Sequence, residues 1–277
     1  MIIKKIKLAL IFIAFMFCIS SLSSASENNN KTIRLGVAPF MTPMALIKRL
    51  RPLRDYLSEQ LGMTVNIITA RSGKEFMKRT LKGNYDFVFT NPFFALKALD
   101  TKQFDLIASQ KKKITGHFVT LEDSSINSLK DLAGKKIGAP DKAGLLGKLI
   151  NPFIKHSGFN KDNYPQVIHY DSHNSGVSAL KIGDVDASLI VSFMTNHLRE
   201  KGLKIKIIHK TEELPGMSII VKKNSLDKKI VDSMKKAILR ISNSPEGKSI
   251  LKKIKMPAFK EANALELEPV RKYMVKH

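Results

Sequence analysis

Leu81-Lys82-Gly83-Asn84-Tyr85-Asp86, running into Phe87-Val88-Phe89-Thr90, has a counterpart later in the chain: Leu180-Lys181-Ile182-Gly183-Asp184-Val185-Asp186, running into Ala187-Ser188-Leu189-Ile190-Val191. In each stretch a helix with apolar spacing ends at a Gly, the residue that enters the left-handed conformation at least cost. An Asp then leads into an apolar strand. A chain that makes this transition twice is expected to be bilobal, with two α/β lobes of similar build.

Outward from these two points the pattern alternates. Thr32 to Ala38 alternates Ile33, Leu35 and Val37 and stops at Pro39, a strand leading into a loop. Leu46, Leu50, Leu53, Leu57 and Leu61 follow at helical spacing and Gly62 ends the run, so an amphipathic helix is expected, interrupted or restarted at Pro52. Thr64 to Ala70 reads as a strand, Lys74 to Lys82 as a helix, Asp86 to Thr90 as a buried strand, and Pro92 to Leu99 as a helix starting after Asn91. Two more strands lie between Phe104 and Glu122, then a short helix at Ser128 to Leu132. Lys135 to Ala139 begins a second series: a loop at Pro140 to Gly144, a helix from about Leu145 to His156, a strand at Val167 to Tyr170, a helix at Gly176 to Ile182 and a strand at Ala187 to Val191. Lys204 to His209 and Ser218 to Lys222 bring the chain back, and helices follow, the first with Ile230, Met234, Ala237, Ile238 and Ile241 on one face. The return makes the lobes discontinuous: residues 32–118 with 211–277 in one, residues 119–210 in the other.

Lys4, Lys5 and Lys7 precede an apolar run from Leu8 to Ile19, and Ser23-Ser24-Ala25 supplies the small residues that a signal peptidase reads. Residues 1–25 are therefore expected to be a signal peptide, cleaved after Ala25. The run is shorter than the roughly 20 residues a spanning helix needs. A retained anchor is the alternative. Phe15 and Phe17 do not suit lipid attachment at Cys18, the only cysteine. Cleavage would leave no thiol for disulfides, thiolate metal sites or nucleophilic catalysis, and export without a disulfide framework points to a bacterial periplasm.

Lys and Arg number 47 against 24 Asp and Glu, and without the three signal-segment lysines the balance is 44 to 24, a net +20. The lysines are spread along the chain, without zinc-finger spacing or an aromatic RNA-binding signature, so no nucleic-acid partner is expected. Runs such as Lys111-Lys112-Lys113, Lys228-Lys229 and Lys252-Lys253 read as solvated faces, or as docking points for an acidic partner or membrane surface. Enzyme motifs are missing. No Gly-x-Ser-x-Gly or His-Glu-x-x-His occurs, and Gly144-Leu145-Leu146-Gly147-Lys148 has the wrong glycine spacing for a phosphate loop, with Leu149 in place of the required Ser or Thr.

Several motifs in a fixed order carry a family resemblance. They are Arg51-Pro52-Leu53 with Tyr56-Leu57 and Leu61-Gly62; Gly83 with Asp86; and Ser128-Leu129-Lys130-Asp131-Leu132-Ala133-Gly134-Lys135-Lys136-Ile137-Gly138. Then come Ser172-His173, Ala179-Leu180 with Gly183 and Asp186, Leu214-Pro215-Gly216, and Ser244-Pro245-Glu246-Gly247-Lys248. From Thr32 to Tyr273 the chain resembles the substrate-binding proteins of phosphate, phosphite and phosphonate ABC importers. The resemblance implies a two-lobed type II periplasmic-binding-protein fold, each lobe a mostly parallel sheet flanked by helices, joined by two crossing strands. It also implies capture of a small anionic solute between the lobes by hinge closure, delivery to an inner-membrane ABC permease, no cofactor, no enzymatic activity and a monomeric state.

Open α/β sheets place ligands at the carboxyl ends of their strands, where helix N-termini offer unpaired N–H groups and a favourable dipole to an anion. The candidate loops are Phe40-Met41-Thr42, Thr90-Asn91 leading to Phe94, Lys142-Ala143-Gly144, and Ser172-His173. His173 resembles the family's cleft histidine, a neutral or charged donor to an oxyanion; a capping or buried structural role is the alternative. Asp186 reads either as a cleft acceptor for a protonated ligand oxygen or an ammonium, or as the group that fixes the Gly183 turn. Thr42, Thr90 and Ser172 also suit plain N-caps. The family's Ser/Thr-rich loop after the first strand of the second lobe is replaced by Asp141-Lys142-Ala143-Gly144-Leu145-Leu146-Gly147, which has no hydroxyl. Here Lys142 and the amides of Ala143 to Leu145 would take its place. Two other roles fit such a chain: a ligand sensor feeding a kinase or chemoreceptor, and an envelope interaction protein without a ligand.

Overall fold

The computed structural model describes residues 32–142, 144–155 and 157–274. The apolar N-terminal segment and the expected cleavage site lie outside them. Along the chain come β1 (Ile33–Val37), α1 (Pro43–Leu61), β2 (Val65–Ile68), α2 (Gly73–Lys82), β3 (Phe87–Thr90), α3 (Pro92–Asp100) and β4 (Phe104–Gln110). Next are β5 (Gly116–Leu121), β6 (Lys136–Ala139), α4 (Leu145–Lys155), β7 (Gln166–His169), α5 (His173–Lys181), β8 (Ala187–Val191), α6 (Ser192–Glu200) and β9 (Ile205–Lys210). The chain closes with β10 (Ser218–Lys222), α7 (Lys228–Ile241), α8 (Pro245–Lys253), β11 (Phe259–Glu261) and a 3-10 stretch at Ala264–Tyr273.

These strands form two sheets, one in the order β11-β4-β10-β3-β1-β2 and one in the order β7-β6-β8-β5-β9. In the first, β2, β1 and β3 are parallel and β10 runs against β3 and β4. In the second, β7, β6 and β8 are parallel and β5 runs against β8 and β9. Two segments cross between the sheets, from Gln110 to Gly116 and from Lys210 to Ser218, and they pair with each other through Ile114 and Leu214, whose N–H and C=O groups exchange hydrogen bonds at 2.8 Å each way. The lobe boundary expected at 118/119 falls inside β5. Pairing with β8 and β9 places all of β5, from Gly116, in the second sheet.

Helix ends follow the local chemistry of the sequence. Gly62 and Gly83 cap α1 and α2 at φ of 61° and 76°, and Gly183 follows α5 at φ of 80°, a region that costs a Cβ-bearing residue strain. Helix α5 begins three residues before the expected Gly176, because the Ser172 side chain accepts the Ser175 N–H at 3.2 Å and starts the helix there. Pro52 neither interrupts nor restarts α1, which runs continuously through it. Leu46, Leu50, Leu53, Tyr56 and Leu57 are all buried along one face. Each such side chain contributes about 1.5–3 kcal/mol of burial, so together they outweigh the roughly 3 kcal/mol intrinsic cost of an interior proline. Helix α6 and strand β11 are absent from the pattern reading.

Candidate functional site

A cleft open to solvent lies at the carboxyl ends of the parallel strands of both sheets. Residues just past β1 (Ala38, Pro39, Phe40), β3 (Asn91), β6 (Pro140, Asp141), β7 (Asp171, Ser172) and β8 (Ser192) all line it. Five helices from the two sheets therefore present their first turn or capping residue to one space: Gly73 of α2, Asn91 of α3, Leu145 of α4, Ser172 and His173 of α5, and Ser192 and Phe193 of α6. Asn91 accepts the Phe94 N–H at 2.9 Å and Ser172 accepts that of Ser175, whereas α6 starts without a side-chain cap. Such ends carry a partial positive charge and spare N–H donors.

Much of the remaining wall is apolar. Phe40, Phe94, Leu145, Leu146, Phe193 and Met217 line the cleft, and Phe40 of the first-sheet side meets Phe193 of the second edge-on, ring centres 6.1 Å apart at 87°. Arg49, Lys112, Lys113 and Lys255 are the lining cations. Arg49 donates to the carbonyls of Ile254 and Lys255 at 2.8 and 3.0 Å, closing the end of α8, while Lys113 pairs with Glu213 at 3.2 Å and Lys255 with Glu200. Lys112 makes no ion pair among the described residues. Most of the chain's positive charge thus lies elsewhere, and the cleft offers a few placed cations rather than a basic wall. Among the described residues no group of His, Cys, Asp and Glu is placed to hold a metal ion.

Of the candidates, Phe40, Asn91, Phe94, Gly144, Ser172 and His173 line the cleft. Ala143 lies outside the described residues. Thr42 is exposed, precedes α1 without a side-chain cap bond and does not line the cleft. Thr90, the last residue of β3, is wholly buried with its Oγ1 unpartnered, opposite Ser218 in the ladder, and does not line the cleft. Lys142 is exposed and does not line the cleft; the inward-turned residue of that loop is Asp141. Asp186 sits at the amino end of β8, remote from the strand end that opens on the cleft, and its Oδ2 accepts the Lys136 N–H at 2.8 Å. Burial pushes His173 down to about 4, so its imidazole is neutral at pH 7 rather than poised to protonate. Its Nδ1 is buried and without a hydrogen-bond partner among the described residues.

A family model described as the periplasmic substrate-binding protein of phosphonate ABC transporters matches residues 35–267. The chain belongs to this phosphonate-binding family. Among its relatives, the phosphate-import protein PhnD of Mycolicibacterium smegmatis is 24% identical over 242 residues, 80% of this chain and 75% of that one. Among solved structures, a binding component of a phosphonate ABC transporter from Pseudomonas aeruginosa superposes with a TM-score of 0.77 at 18% identity, covering 88% of this chain and 85% of the other. PhnD1 of Prochlorococcus marinus, solved with methylphosphonate, gives 0.78 at 17% identity, covering 88% and 97%. The fold is the type II periplasmic-binding-protein architecture, two sheets flanked by helices and joined by two crossing segments.

Proteins of the phosphonate-binding family are periplasmic, bind a small anionic solute and work with an inner-membrane permease. Among the described residues no helix is long and apolar enough to cross a membrane. Where the family resemblance leads one to expect hydroxyls, this member carries the Asp141 carboxylate and the side chains of Leu145 and Leu146. Among the lining residues that the sequence pattern does not single out are Arg49, Lys112, Lys113, Phe193 and Lys255. The spacing of four between Phe193 and His197, and between Met194 and Leu198, was the available signal for the helix that brings Phe193 in.

Proposed function

We propose that the protein captures a small phosphorus oxyanion, of the phosphate, phosphite or phosphonate class, between two lobes built on the two sheets, and presents it to an ABC permease after export and cleavage at Ala25. The observation that carries this reading is the convergence of five helix N-termini from both sheets on one cleft. Such ends suit an anion that touches both halves at once, so the ligand itself would favour the closed form. Lys112 adds the charge, and the apolar walls accommodate an organic substituent. Family membership supports the transport role, and the working form is read as a monomer.

Thermal unfolding against phosphate, phosphite, alkyl- and aminoalkyl-phosphonates, sulfonates and sulfate at fixed ionic strength tests it. A ligand at 100 times its dissociation constant adds about 2.7 kcal/mol of stability. A midpoint shift with one phosphorus anion supports the reading; no shift with any of them overturns it.

A further inference from the structure

Two carboxylates line the cleft, Asp141 and Asp171, and Asp141 is hydrogen-bonded across it. Gly73 N–H, in the first residue of α2, donates to Asp141 Oδ2 at 2.8 Å. Helix α2 flanks the six-stranded sheet, whereas Asp141 lies in the loop after β6 of the five-stranded sheet, so this hydrogen bond joins the two halves across the cleft. The Ser72 side chain already accepts the Glu75 N–H at 3.2 Å, and the carboxylate takes a donor that this cap leaves open. A negative side chain here also meets the positive end of the helix dipole.

The Asp141 backbone is held in place for this contact. Its carbonyl accepts the Gly144 N–H at 2.8 Å, and helix α4 passes so close that a Cβ on Gly147 would stand 2.0 Å from the same carbonyl oxygen. Only glycine fits there, so the loop is packed against the helix it precedes and cannot slide along it. The side chain is thereby aimed outward from its own half toward Gly73.

We infer that Asp141 is a closure residue: its carboxylate, seated on the N-terminus of α2, holds the two halves together and raises ligand affinity without touching the ligand. This rests on the two-lobed capture reading. A hydrogen bond between the halves that does not involve the ligand would enlarge the closed population, and apparent affinity scales with the fraction of protein already competent to bind.

Two substitutions remove the bond from opposite sides. Asp141→Ala deletes the acceptor. Gly73→Pro deletes the donor in the first helical position, where proline is well tolerated, and Ser72 before it already has the extended backbone that a following proline requires (φ −141°, ψ 162°). Small-angle X-ray scattering of the ligand-free proteins is expected to give a compact wild type, a larger radius of gyration for each variant, and no further increase in the double variant, since both remove one bond. Asp141→Asn, which keeps an acceptor oxygen without the charge, is expected to lie between. Thermal unfolding of each variant confirms that it is folded. If one phosphorus anion binds, its dissociation constant rises roughly 2- to 30-fold in each variant, the range of a carboxylate at a helix N-terminus. Ligand-free variants that scatter as the wild type does, or a double variant whose expansion is the sum of the singles, overturn the inference. Because scattering is read without ligand, failure of every phosphorus anion to bind would remove the capture reading and still leave the closure contact decided.

Discussion

Asp86 and Asp186 occupy equivalent points of the two sheets, each clamping the strand beside it. Asp86 Oδ2 accepts the Arg34 N–H at 2.7 Å and Asp186 Oδ2 accepts the Lys136 N–H at 2.8 Å, and each Asp returns its own N–H to the carbonyl of the same residue at 2.9 Å. Asp86 gains more, since the Arg34 guanidinium also donates to it at 2.7 and 3.1 Å. Asp186→Ala is expected to cost about 1–3 kcal/mol in denaturant unfolding, and Asp86→Ala more. Ligand dissociation constants should stay within about twofold for Asp186→Ala, because the group lies at the far end of its strand. A large loss of affinity without loss of stability would return Asp186 to the binding site.

His173 makes stability depend on pH in one direction. The unfolded histidine protonates near 6.5, but the folded one only near 4, so between those values the unfolded state holds more protons. Stability is therefore expected to fall as pH drops through this window, by roughly 3 kcal/mol in total from this group. His173→Asn should flatten the acid limb of the unfolding free energy by that order. His117, His197 and His209 are also pushed down by burial, and they remain in both proteins, so the difference isolates His173.

Phe193→Ala separates closure from folding. The edge-on contact with Phe40 joins the two halves, and pairs of this kind contribute about 0.5–1.5 kcal/mol beyond area burial. Calorimetric titration is expected to show a dissociation constant raised roughly 2- to 10-fold. An unchanged constant would mean that the contact does not take part in capture.

Pro52 sits inside α1 without an N–H to offer the preceding turn. Pro52→Ala is expected to raise the thermal midpoint, with a gain of about 1–3 kcal/mol. A destabilised variant would show that the proline ring's own packing outweighs the missing hydrogen bond.

Strong local signals made most of the fold readable. Gly83 and Gly183 announced both helix ends, and the leucine ladder from Leu46 to Leu61 announced α1. The leucine burial of that ladder also explains why Pro52 misled: local propensity argued for a break, and tertiary packing overrode it. Helix α6 was missed because it follows β8 with no break, its N-cap position held by Val191 rather than a Ser, Thr, Asp or Asn, so nothing local marks its start. At the cleft, position after a strand identified Asn91, Ser172 and His173. Position alone does not tell which way a side chain turns: Thr90 is wholly buried and off the cleft, and Asp141 rather than Lys142 lines it. Arg49 and Lys255 come from elements far along the chain, and only the folded topology brings them there.

Calorimetric titration of phosphorus oxyanions, methylphosphonate included, beside sulfate at fixed ionic strength tests the central claim most directly. Saturable one-site binding of a phosphorus anion, weakened by Lys112→Ala and retained by Asp186→Asn, is the predicted result. Binding of sulfate alone, or no heat with any of these anions, would contradict it.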